Sequence, residues 1–362
     1  MGTPVNRYLA IAAVAVSATF GFVPQANATH VSCGDVITQN TVLDSDLVNC
    51  PGNGLELADG VTLNMAGHTV DGQGVGYGVA VLLEPFSQGS GVQVRDGTVR
   101  EFSDGIRLEG ATGVFERLLL ADNQSAGVRC LEGGFPRSSA FTELEVRGNA
   151  VGINVDSCLV GMSASSVHDN SQDGLFVGFS ILDVSNSAIY GNGGFGAVFS
   201  SANSTFANNA VYDNSRSGLL FVVGNLTARA NTFVGNGENG LDVEFGTTST
   251  VDGNIVGHNA ANGIRLDEDG THVARDNTST RNGADGIVVE PGARFELTGN
   301  TTSSNGDDGI DVNDPNGTLT RNRADRNVDL GIEAVPGVTD GGGNRAKQNG
   351  NRLECLNVTC RR

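Results

Sequence analysis

The chain has 362 residues, 52 of them glycine and six cysteine, and a formal charge of −19. That charge works against binding of nucleic acid or anionic lipid, and it repels a polyanionic glycan unless a divalent cation bridges the carboxylates. Neutral glycans, cations and basic partners stay open.

In chain order, residues 1–28 read as an export signal: Arg7, a mostly apolar run from Leu9 to Val23, and Ala26-Asn27-Ala28 as a small-x-small cleavage site. The processed chain then starts near Thr29 with a charge of 21 − 41 = −20, since only Arg7 is lost from the 22 basic residues. No other stretch approaches the roughly 18 uninterrupted apolar residues of a membrane span. The expected product is secreted, extracellular or periplasmic, with no transmembrane anchor.

Residues 29–50 read as an N-terminal cap, 51–335 as a repeat region and 336–362 as a Gly-rich C-terminal cap. Cys33, Cys50, Cys130, Cys158, Cys355 and Cys360 all lie in the exported part, where an even count points to disulfides. The sequence-local pairing is Cys33 with Cys50, Cys130 with Cys158 and Cys355 with Cys360. Cys130 and Cys158 as buried free thiols is the alternative. No CxxC pair is present, which speaks against a zinc or redox site.

Glycine placement decides the fold. The glycines that precede an apolar-x-apolar triplet run from Gly105 through Gly127, Gly152, Gly174, Gly196, Gly218, Gly240, Gly263, Gly286 and Gly309 to Gly331, in steps of 22 or 23 with one step of 25. A second column, Asn123, Asn170, Asn192, Asn214, Asn236, Asn259, Asn282, Asn305 and Asn327, sits four residues ahead of these glycines. Asn149, three ahead, is the one slip. A third column, Asn209, Asn231, Asn254, Asn277, Asn300 and Asn322, precedes the next Asn by five. The repeat is too short for a helical hairpin and alternates with period two, so it predicts strands. Such strands bury their apolar side only by stacking coil on coil. Asn and Gly recur at the corners, where a positive φ is expected and stacked amides can hydrogen-bond.

In this repeat and its Asn ladder, residues 50 to 335 resemble the right-handed parallel β-helix repeat proteins, the pectate-lyase-like group that includes many polysaccharide-acting enzymes. The resemblance implies an all-β solenoid of about 12 to 13 coils. It implies no reaction, because the repeat encodes stacking alone. A leucine-rich repeat is the alternative, disfavoured because no L-x-x-L-x-L pattern recurs.

Function is therefore sought on outward positions. The second and fourth residues after each glycine bring Asp242, Glu244, Asp267, Glu290 and Asp311 around Arg265 on neighbouring coils. These carboxylates are a candidate Ca²⁺ ligand set, with Asp242, Arg265 and Asp267 as candidate catalytic residues. Calcium is the only cofactor the sequence suggests. An apolar stripe of Phe176, Val198, Leu220 and Val222 is a candidate contact surface. His168, Tyr190 and Tyr212 recur on another strand and are candidates, with Phe176 and Leu220, for contact with sugar. The five histidines form no HxH or HExxH pair, and GxSxG and P-loop motifs are absent. Two readings follow: a carbohydrate-binding or surface module, and a polysaccharide lyase, hydrolase or epimerase. Carboxylates paired in a walled groove would favour the second; near-constant coil lengths favour the first.

Overall fold

The structure, a computed structural model, describes residues 30–83, 89–132 and 138–361. The expected signal, 1–28, lies outside them. Every described strand is short and pairs in parallel with one about one repeat away, as in Leu219↔Leu241, Leu241↔Ile264 and Ile264↔Ile287. Three sheets result, so each turn of chain lays one strand on each. The first runs from Asp35–Ile37 to Ile332–Ala334, the second from Thr41–Val42 to Thr339–Gly342, and the third from Leu47–Cys50 to Arg345–Lys347. Val92–Arg100, Gly113–Ala121, Ala197–Ala207 and Leu219–Arg229 round a corner unbroken and serve two sheets each. The fold is a parallel β-solenoid of about 14 turns, with no helix among the described residues.

The turns exceed the expected 12 to 13 because both presumed caps carry strands. Asp35–Ile37 pairs with Leu55–Leu57, and Arg323–Asp325 with Arg345–Lys347. At the far end Cys355 bridges to Ile332. Disulfides join Cys33 to Cys50, Cys130 to Cys158 and Cys355 to Cys360.

Alternation sends the first and third residues after each repeat glycine inward. Ile106 and Leu108, Leu219 and Phe221, and Ile310 and Val312 are fully buried in one continuous core. The two asparagine columns form buried ladders. Asn236 Nδ2 donates to Asn259 Oδ1 at 3.0 Å, and Asn254 Nδ2 to Asn277 Oδ1 at 2.9 Å. Asn149, out of step in sequence, keeps its place, accepting from Asn123 Nδ2 at 2.9 Å and donating to Asn170 at 3.1 Å.

Positive φ does not fall where it was expected. It falls on the residue before each ladder asparagine, such as Asp213 (54°), His258 (57°) and Arg281 (56°), and on neither the ladder asparagines nor the repeat glycines. The glycine is required for closeness instead. A Cβ on Gly218 would lie 2.6 Å from the carbonyl oxygen of Gly240 and 2.9 Å from Asn236 Nδ2.

Candidate functional site

The outer face of the first sheet gathers most of the expected functional residues. Strand pairing sets Arg107, Arg129, Asn154, Phe176, Val198, Leu220, Asp242, Arg265, Val288 and Asp311 in one column. Val288 is buried despite facing out, whereas Phe176 is 40% exposed.

At the N-terminal end of this column, Asp104 lies buried between two arginines. Its carboxylate accepts from Arg107 at 3.1 Å and from Arg129 at 3.1 Å, and Glu109 takes a second Arg107 nitrogen at 3.3 Å. The Arg107 guanidinium also lies over the Tyr77 ring, 5.2 Å from its centre.

At the C-terminal end, Arg265 is held by four carboxylates: Asp267 at 3.0 Å, Glu244 and Glu290 at 3.1 Å, and Asp242 at 3.2 Å. These are four of the five expected calcium ligands, and the space where they converge is filled by the guanidinium. The fifth, Asp311, stands apart and accepts from Asn313 Nδ2 at 2.7 Å. Burial raises the pKa of Asp242 and of Glu244 and outweighs the Arg265 charge. For Arg265 burial acts to lower the pKa, but Asp242, Asp267 and Glu290 hold it above the usual arginine value.

The residue just before each repeat glycine also faces outward, and reading only the second and fourth positions after the glycine missed it. This column contains Asp104, Asp173, Asn239, Asn262, Asp285 and Asp308. Several of its oxygens bridge to the next coil: Asp285 Oδ1 accepts from the Asp308 amide at 2.8 Å, and Asp308 Oδ1 from the Leu330 amide at 2.6 Å. Burial pushes the Asp285 pKa up to about 6. Burial, reinforced by the Glu333 carboxyl, holds Asp308 far above the carboxylate range. Oxygens of Asp308, Asp329 and Glu333 lie within 4.8 Å of one another, as do those of Asp285, Asp307 and Asp308. The signal in sequence was the repeat register itself, read one position earlier.

On the third sheet His168, Tyr190 and Tyr212 are stacked, with ring centres 4.6 and 4.7 Å apart and planes 2° from parallel. Arg147 and Val234 pair in register with the outermost rings. A sugar therefore finds ring edges here rather than ring faces, because the faces cover one another.

The family defined as the right handed beta helix region matches residues 134–279 and 223–354, together more than half of the chain. This chain belongs to that family. Similar solved folds include the Azotobacter vinelandii mannuronan C-5 epimerase AlgE4 A-module, at 16% identity, TM-score 0.53 and 91% of both chains. They also include the periplasmic alginate epimerase AlgG, at 13% identity, TM-score 0.46, 79% of this chain and 78% of that one. The Dettilon tailspike protein follows at 15% identity and TM-score 0.37, with 87% of this chain and 60% of that one. No curated protein sequence matches the chain. At such identities the likeness is one of fold. For this β-helix, the chemistry open to the first-sheet face is contact by apolar side chains and hydrogen bonding by paired charges at either end. Its described residues include no helix long and apolar enough to cross a membrane.

Proposed function

We propose that this β-helix is an exported carbohydrate-binding protein that holds a glycan along the outer face of its first sheet. The observation that carries the reading is the stripe of Phe176, Val198 and Leu220, set between the Asp104 and Arg265 charge clusters. An apolar strip of this kind accepts the C–H face of a sugar ring, and fixed Asp–Arg networks on either side offer donors and acceptors to its hydroxyls. The polysaccharide-acting epimerase of similar fold supports carbohydrate as the ligand class. The six paired cysteines support an oxidising destination outside the cytoplasm. A glycan array run with and without calcium tests the reading. Retained glycans should lose about tenfold in affinity to the Phe176→Ser, Leu220→Ser double variant, with thermal stability little changed. Retention indifferent to that double change would defeat the proposal.

One observation favours an enzyme instead: Asp285 and Asp308 are carboxyls held above their ordinary pKa on the same face. Asp242 and Asp267, by contrast, are committed to Arg265. Incubation of a retained glycan with the protein should then yield unsaturated, hydrolysed or epimerised sugar, and should cease with Asp308→Asn.

A further inference from the structure

The third sheet carries a charge pattern that the carbohydrate reading leaves unused. Pairing places Glu145, Ser166, Ala188, Ala210, Thr232 and Ile255 in one outward column that continues through Thr301 to Arg323 and Arg345. At the adjoining corner, Asp169 and Asp213 occupy the turns nearer the N terminus and Arg281 and Arg326 those nearer the C terminus. All eight charged or large apolar residues Glu145, Asp169, Asp213, Ile255, Arg281, Arg326, Arg345 and Lys347 are exposed. Asp213, Arg281, Arg326, Arg345 and Lys347 have no ion-pair partner among the described residues. The face is therefore acidic at one end, flat and largely uncharged across the Ala188, Ala210, Thr232 and Ile255 middle, and basic at the other.

We infer that this face binds a second copy of the same chain, antiparallel, about a two-fold axis lying along the strands between the turn of Thr232 and the turn of Ile255. Rotation about such an axis keeps each column opposite itself and reverses the order of turns. Asp213 then meets Arg281 of the second copy, Asp169 meets Arg326, and Glu145 meets Arg345, and each contact occurs twice. One like-charged meeting, Arg147 with Lys347, is relieved by the Glu145 carboxylate, 3.1 Å from Arg147. An uncharged centre with a charged rim is the usual anatomy of a reversible interface. From the turn of Glu145 to that of Arg345 is nine steps, about 43 Å at ~4.8 Å per step, and a face roughly 15 Å wide gives about 650 Å² per copy. That lies just below the ~800 Å² per partner of a standard specific contact, so the dimer is weak and salt-sensitive rather than obligate. It occupies a different sheet from the proposed glycan face, so both can be engaged at once.

Sedimentation velocity of the full chain at about 0.1 mM, where even micromolar affinity is populated, tests the inference. A dimer is expected at low salt and mostly monomer at high salt. Asp213→Arg alone and Arg281→Asp alone should each weaken it at least about tenfold, and the two together should restore it. Both corners keep the backbone they have, since Arg281 and Arg326 already place arginine at φ of 56° and 59°. Unchanged melting temperatures would confirm that the variants fold. A monomer at low salt, a dimer indifferent to both reversals, or single losses that the double change does not repair would each overturn the proposal.

Discussion

At Asn236 a buried amide is fully used: Oδ1 accepts from Asn214 Nδ2 at 3.1 Å and from its backbone amide at 3.3 Å, while Nδ2 donates to Asn259 at 3.0 Å and to the Val211 carbonyl at 3.3 Å. Alanine there removes partners from groups in the turns on either side. Asn236→Ala should cost about 2–4 kcal/mol in denaturant unfolding, against a few tenths for an exposed asparagine such as Asn203. Cheap replacement of Asn236 would mean that the ladder is decorative. The ladder was legible in sequence because identity recurs at fixed spacing. Its mechanism was not: spacing cannot distinguish a residue chosen for its own φ from one chosen because its predecessor turns. Asp213, His258 and Arg281 share a backbone conformation without sharing chemistry, so no column marked them.

Among elements, the turns that carry Asp242, Arg265 and Glu290 were correctly placed side by side from sequence, yet the centre they form differs from the expected one. A register argument says which turns are adjacent; it does not say whether a cation comes from solvent or from the chain. Arg265 supplies it here. Arg265→Ala should cost about 2–4 kcal/mol by leaving half-buried carboxylates uncompensated. Millimolar calcium should then raise the melting temperature of the variant and leave that of the parent unmoved. A parent protein stabilised by calcium as strongly as the variant would refute this assignment. The strands within the first and last segments were left out of the repeat count for a related reason. Residues 35–50 lack the glycine–asparagine spacing and 339–347 keep only Asn344 of it, 22 residues after Asn322, but their backbone still pairs with the neighbouring turn.

For the whole molecule, the excess negative charge converges on the last turns of the first sheet, where Asp285 and Asp308 are held in protonated form more readily than in an unfolded chain. Raised folded-state values mean that the native state binds protons the unfolded state has released. The resulting stabilisation is complete below the ordinary value of 3.8 and is lost as pH rises through about 6 for Asp285, and higher for Asp308. Melting temperature should fall from about pH 5 to about pH 8, and Asp308→Asn should flatten that slope. A profile rising over the same interval would contradict it. The asparagine ladders add a direction to this rod. Each side-chain amide donates one hydrogen back to a carbonyl of the preceding turn and the other forward to the next ladder asparagine, so the forward donor is satisfied only after the next 22 or 23 residues exist. A chain that folds turn by turn from its N terminus therefore always has one unfinished storey at its growing tip. At Asn349 the forward hydrogen is met at 2.8 Å by the carboxylate of Glu354, five residues on, which takes the place that the next asparagine fills in the other turns.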